Sequence, residues 1–313
     1  MSLGQSHDRD EMVSLLKALA PNEGFTITPL DGVRLMRWNR SIPRSPVLYE
    51  PSIVIICSGQ KTGYLGQQVF QYNPQHFLVL SVPLPFESET IASPEDPLLG
   101  ISISINVAML SELILILGQG ASPLKSGSHG MVSTPMDAKL SNAVLRLLQA
   151  LHSKRDADIL GQSILREIHY RVLTSDRGDA IRALLSQQSH LGKIGKALRR
   201  IHAEYSENLD VAMLAAEAGM SSAAFHASFK AVTATSPMQY VKTTRLHKAR
   251  MLMHQDGVSA SNAAALVGYE SPSQFSREFK RLFGRTPSED MKKSRTASPL
   301  MSQTTGSRYV TAQ

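Results

Sequence analysis

Apolar and polar positions divide the chain into a short helical start, a β-rich stretch and a long helical remainder. Between Asp8 and Ala20, Met12, Leu15, Leu16 and Leu19 recur at helical spacing and predict an amphipathic helix. From residue 25 to 105, short apolar runs alternate with turn signals: Ser52 to Cys57, Val69 to Tyr72, Phe77 to Val82 and Gly100 to Ile105. ISISI at 101–105 alternates with period two, as a strand with one buried face should. Prolines at 43, 46, 51, 74, 83, 85, 94 and 97 break this region into short pieces. That pattern predicts a small β-sandwich or barrel and argues against βαβ repeats.

After Asn106 the period becomes helical. Met109, Leu113, Ile116 and Leu117 are expected to line one helix face. A turn-rich stretch from Gly118 to Pro135 precedes helices near 137–152 and 156–174. Their stripes are Leu140, Val144, Leu147, Leu148 and Leu151, then Ile159, Ile164, Leu165, Ile168 and Leu173. Helix continues with breaks through 178–205. The tail from Ser294 to Gln313 is rich in Ser and Thr, has no period and is expected to be disordered.

A repeat supplies the most specific signal. LAAEAGMSSAAFHASFKAVTATSP (214–237) is echoed by AAALVGYESPSQFSREFKRLFGRTP (263–287). Phe225, Phe229, Lys230 and Pro237 match Phe275, Phe279, Lys280 and Pro287 at an offset of fifty. In each copy an alanine-rich helix, Val211 to Ala218 or Ser261 to Val267, ends at a glycine, Gly219 or Gly268, where left-handed φ is easiest. Ser221 or Ser271 then caps a second helix with two phenylalanines four residues apart facing the core. Helix, glycine turn and capped helix make the helix-turn-helix plan. A long helix joins the copies, capped by Ser236 with Pro237 in its first turn, and runs to about His254.

Charge strengthens that reading. The 313-residue chain carries a net +7, and 313 residues suggest two domains. Residues 193–295 hold +7 of this, whereas residues 1–192 sum to −1. A basic unit beside a neutral one points to a polyanion partner. The single cysteine, Cys57, excludes an intrachain disulfide and a multi-cysteine zinc site. No apolar run is long enough for a spanning helix, and MSLGQSHDRDEM lacks a signal-peptide core, so a cytoplasmic location is expected.

The doubled unit, RLHKARMLM (245–253) and GYESPSQFSREFKRLFGRTP (268–287) resemble the AraC/XylS family of transcription regulators over about residues 195–293. YEPSIVIICSGQK (49–61), LGQQVFQYNPQHFLVLSVPLPFE (65–87) and SPEDPLLGISISI (93–105) resemble a sensor type found with that DNA-binding domain. The resemblance implies an α+β protein of two domains. Residues 1–192 would form a cupin-like β-barrel plus helices, for regulation, ligand sensing and possible homodimerisation. Residues 193–293 would form the all-α double helix-turn-helix domain, followed by a tail at 294–313.

It also implies that both recognition helices enter the major groove of double-stranded DNA. Base-reading positions would be Pro272, Ser273, Gln274 and Arg277 in the second unit, and Ser222, Ala223, His226 and Ala227 in the first. Gln suits adenine, and Arg suits guanine or a phosphate, whereas alanine offers only methyl contact. Lys230, Lys280 and Arg281 are expected at phosphates. The expected function is a transcription activator acting with RNA polymerase and answering to a small-molecule effector.

Three readings of the N-terminal unit stay open: a sensor, a dimerisation module, or a metal-dependent cupin enzyme. Catalytic cupins gather several histidines and a carboxylate. The β region has one histidine, His76, with Glu87 and Glu89 near it in sequence, so no metal, cofactor or enzymatic activity is expected. Arg37, Trp38, Tyr64, His76 and Phe86 are pocket candidates, each also compatible with core or surface. Cys57 within SIVIICSG reads as a buried small hydrophobe, with a redox or electrophile sensor as the alternative.

Overall fold

A computed structural model describes residues 3–117, 130–178, 181–183 and 189–296. Most of the turn-rich stretch expected at 118–135 and most of the tail at 294–313 lie outside the described residues. The chain begins with helix α1 (Leu3–Leu19). Two antiparallel sheets follow. The larger has the order β1 (Gly24–Ile27), β2 (Val33–Trp38), β9 (Leu98–Ser104), β4 (Ser52–Ser58), β7 (His76–Leu80) and β10 (Met131–Pro135). The smaller has the order β3 (Ile42–Tyr49), β8 (Leu84–Ile91), β5 (Gln60–Leu65) and β6 (Gln68–Tyr72).

The larger sheet is buried on both faces. Val33, Leu35, Ile53, Ile55, Ile101 and Ile103 pack outward under α1, α3 (Ala138–Leu151) and α4 (Lys154–Leu173). Met36, Trp38, Val54 and Ile56 pack inward against Leu65, Tyr72, Leu84 and Phe86 of the smaller sheet. Adjacent residues of β4 therefore serve two cores, which is why SIVIICS reads as an unbroken apolar run.

Proline was a poor guide to strand ends. β3 runs through Pro43 and Pro46, because it is an edge strand whose register shifts between Ile42 and Ser45. An edge strand has one side free of ladder bonds, so missing N–H donors cost little there. β10 also falls inside the stretch read as turns, on the opposite edge of the larger sheet.

Helix α2 (Val107–Leu117) buries Leu110 and Leu113 but exposes Ile116 and Leu117, so its face is rotated from the expected one. Ile159 of α4 is likewise exposed. The C-terminal helices are α5 (His190–Ala203), α6 (Val211–Glu217), α7 (Ser222–Thr233), α8 (Pro237–Gln255), α9 (Ala260–Leu266), α10 (Pro272–Phe283) and α11 (Pro287–Thr296). α5 starts at His190 with Ser189 as its cap and spans the expected boundary at 192.

The two C-terminal cores differ. Leu198, Phe225, Phe229, Tyr240 and Val241 join the cluster that fills the space between the sheets. Leu246, Ala249, Met253, Phe275, Phe279 and Phe283 form a separate core. The long helix α8 gives its first half to one and its second half to the other.

Candidate functional site

The paired units have the local geometry their sequences demand. Gly219 and Gly268 take φ +59° and +81°, ending α6 and α9. Ser221 accepts from the backbone N–H of Ala224, and Ser271 from that of Gln274. Asp210 and Ser259 cap α6 and α9 in the same way. Ser236 stands at the start of α8 but makes no side-chain cap bond, and Pro237 alone marks that start.

Phe225, Phe229, Phe275 and Phe279 are fully buried, which leaves the opposite faces of α7 and α10 to solvent. Ser222, Ala223, His226, Ala227 and Lys230 are exposed on α7. Pro272, Ser273, Gln274, Arg277, Lys280 and Arg281 are exposed on α10. The structure thus brings each expected base-reading set onto one accessible helix face.

Buried charge fixes α10 against α8. Glu278 accepts from Tyr269 Oη at 2.7 Å, Lys242 Nζ at 3.1 Å and Gln274 Nε2 at 3.2 Å. Burial alone would raise the Glu278 carboxyl, but these bonds and Lys242 hold it below the usual range. Gln274 is therefore held along its own helix, while Arg277 is exposed to solvent. Asp290 of α11, almost wholly buried, accepts from Arg250 and His254 of α8 and pairs with Arg285 Nε at 2.7 Å. Sequence reading missed both carboxylates, because their meaning depends on partners 36 and 40 residues away.

The N-terminal pocket candidates separate by strand parity. Trp38 and Phe86 face the space between the sheets, meeting Phe25 and Tyr49 edge-on. Arg37 is one residue out of phase and is removed from the pocket. Its guanidinium donates to the carbonyls of Ala20 and Pro21, beyond the end of α1. Tyr64 is removed for the same reason: it lies on the outer face of the smaller sheet, donating to Glu89 with Arg44 stacked at 4.0 Å. His76 shares the parity of Leu78 and Leu80 but sits at the strand end, half-buried.

Residues that sequence reading passed over occupy the interior. Lys61 is 5% exposed, donates to Tyr49 Oη at 3.1 Å and lies 5.1 Å from the Trp38 ring centroid. A cavity of about 40 Å³ at one end of the sheets is lined by Phe25, Arg34, Tyr49, Glu50, Ser102 and Ser104, among others. Of the ISISI serines, Ser102 is half-buried against this cavity, whereas Ser104 lies exposed at its edge, as the alternation suggested. Parity could have found Arg34, which is in phase with Met36 and Trp38.

Cys57 is buried with its Sγ 4.0 Å from Met12 Sδ, and burial pushes the thiol up to about 12. Burial of this kind favours the reading of Cys57 as a small hydrophobe, since a thiolate is the reacting form. Cys57 also walls a cavity of about 270 Å³ beneath α1, with Arg9, Met12 and Met136. Glu87 pairs with Arg44, so neither it nor Glu89 turns toward His76, and no cluster of three metal-ligating side chains occurs among the described residues. Nor is any described helix long and apolar enough to cross a membrane.

Residues 29–180 match the family described as AraC-type transcriptional regulator N-terminus, and residues 214–293 match a helix-turn-helix domain family. The probable transcriptional regulator LumQ of Photobacterium leiognathi is 27% identical over 154 residues, covering 49% of this chain and 59% of LumQ. The HTH-type transcriptional regulator AlkR of Acinetobacter baylyi is 32% identical over 95 residues, 30% of this chain and 31% of AlkR. The chain thus spans less than two thirds of these relatives.

Among solved structures, unsaturated-fatty-acid-bound ToxT from Vibrio cholerae superposes with a TM-score of 0.59 at 12% identity, covering 86% of this chain and 95% of ToxT. ToxT bound to (E)-4-(8-methylnaphthalen-1-yl)but-3-enoic acid gives 0.53 at 14% identity, covering 86% and 99%. These likenesses concern fold. With the two family matches lying in order along one chain, the protein belongs to the AraC/XylS family of transcription regulators.

Proposed function

We propose that this protein is a sequence-specific DNA-binding transcription activator whose N-terminal unit senses a small molecule. The observation that carries the DNA reading is the pair of exposed, capped helices α7 and α10, set in the region holding the excess positive charge. Gln274 and Arg277 supply polar base readout, Arg277 to guanine in the bidentate manner. The first unit adds methyl contacts from Ala223 and Ala227, a hydrogen bond from Ser222 or His226, and phosphate anchoring by Lys230. Lys280 and Arg281 meet phosphates. RNA polymerase is the partner recruited at the promoter.

The sensing reading is supported by a two-sheet interior whose largely apolar cavity carries Arg34 and Glu50, and by ToxT neighbours that hold carboxylic acids in their structures. A homodimer through the helices after the sheets fits Leu115 and Ile116, which stand exposed on α2. The test of DNA binding is a salt-titrated mobility shift with duplex DNA. Lys280→Ala should weaken specific and nonspecific binding alike and flatten the log–log salt slope by about one. An effect confined to one sequence would take Lys280 off the phosphates.

A further inference from the structure

The end of β3 delivers a carboxylate into an awkward place. Glu50 lines the 40 Å³ cavity, and its Oε1 is buried with no hydrogen-bond partner among the described residues. Arg34 lines the same cavity from β2, attracts Glu50 electrostatically, and stacks 5.6 Å from the Phe25 centroid. The pair makes no ion pair within 4 Å. Burial raises the Glu50 carboxyl and lowers the Arg34 guanidinium, so each charge is held at a cost. Lys248, on α8 between the two helix-turn-helix units, also acts on Glu50.

We propose that this cavity is the effector site, and that it takes the head group of an α-amino acid or a closely related zwitterion. Glu50 accepts from the ligand ammonium, Arg34 donates to its carboxylate, and Ser102 adds a half-buried hydroxyl, with Ser104 at the exposed mouth. The walls formed by Phe25, Met36 and Val54 suit the adjoining carbon atoms. The volume holds two or three waters, or a head group of that size whose side chain extends out through the half-open mouth. A plain carboxylic acid would satisfy Arg34 and leave Glu50 facing a second anion. A plain amine would satisfy Glu50 and leave Arg34 unpaired. A zwitterion satisfies both.

Occupancy also reaches the DNA-binding unit. The helix that carries Lys248 packs beside β3, the strand that ends just before Glu50, and its two halves enter the cores of both units, so a ligand ammonium at Glu50 changes the field that Lys248 feels. Saturating ligand is expected to change DNA affinity at least about fivefold, an ordinary allosteric coupling.

This assignment rests on the N-terminal unit being a sensor. Its test is calorimetric and thermal-shift titration of the full chain with a panel of L-α-amino acids, alongside acetate and methylammonium as half head groups. At least one amino acid should bind, with either half at least tenfold weaker on the unaltered protein. Glu50→Gln, and separately Arg34→Met, should each weaken that binding about tenfold or more, as expected when a charge-assisted bond is lost. Failure of the whole panel to bind, or equal binding by Glu50→Gln in a folded protein, overturns the proposal. Stabilisation by an unsaturated fatty acid that Glu50→Gln leaves unchanged overturns it too, while the sensor reading stands.

Discussion

Asp290 shows how much one side chain can decide. It is 2% exposed and surrounded by Arg250, His254 and Arg285. Burial works against its charge, but the hydrogen bonds and charge from His254 and Arg250 win and hold the carboxyl at about 2. Its folded pKa therefore lies below the unfolded value of about 3.9. Its contribution to stability is complete above that unfolded value and is lost as pH falls through about 2. Asp290→Asn should destabilise the second helix-turn-helix unit by about 3 kcal/mol at pH 7, because Arg250 and Arg285 lose their counter-charge. Denaturant melts at pH 7 and pH 2.5 check both parts: the gap between wild type and variant should narrow in acid. At this scale the sequence was legible only where meaning is local. Ser221 and Ser271 could be recognised as caps from three-residue spacing, whereas Asp290 and Glu278 draw theirs from distant partners.

At the scale of elements, the two units differ in how their second helices end. α10 ends at Gly284 with φ +75°, and α7 ends at Ala234 with φ +58°, fifty residues earlier. The left-handed conformation costs an L-residue roughly 1–2 kcal/mol, so the first unit stores strain that the second avoids. Part of that is returned by alanine's smaller unfolded-state freedom. Ala234→Gly should raise stability by up to about 1 kcal/mol, measured by thermal or urea unfolding of the full chain. A destabilised variant would mean that the Ala234 methyl, packed close to Gly66 in the β5–β6 turn, matters more than the strain. Helices were read well because the 3.6 period and glycine stops are local signals. Strands were read less well. Proline suggested breaks where β3 could tolerate it on an edge, and period-two parity, left unapplied, would have separated Arg34 from Arg37.

The whole molecule joins its two units through more than a linker. Tyr240 Oη donates to the carbonyl of Pro83 at 2.7 Å and lies 2.8 Å from His202 Nε2, and the Gly130 N–H donates to the Val232 carbonyl. Because the tyrosine proton goes to Pro83, His202 Nε2 carries the hydrogen that reaches Tyr240. Burial drives the imidazole down to about 3, so it is neutral at ordinary pH. Tyr240→Phe removes both bonds and leaves two buried polar groups unpaired, which should cost about 1–3 kcal/mol. Limited proteolysis should then cut the first helix-turn-helix unit faster than the second, whose core is separate. Equal cutting of both units would show that docking on the sheets does not stabilise the first. This sharing of a core was not visible in the sequence, where the charge step near residue 192 suggested a clean division.

On DNA, α10 is expected to carry more of the polar base readout than α7. Selection of binding sites from random duplex DNA, run with the full chain and with Arg277→Ala, tests it directly. The predicted result is a site of two adjacent segments about one helical turn apart. The more strongly specified segment should lose a guanine preference in the variant, at a cost of about 1–3 kcal/mol. A selected site that is unchanged in the variant, or no enrichment by the unaltered protein, would mean that α10 does not read bases through Arg277.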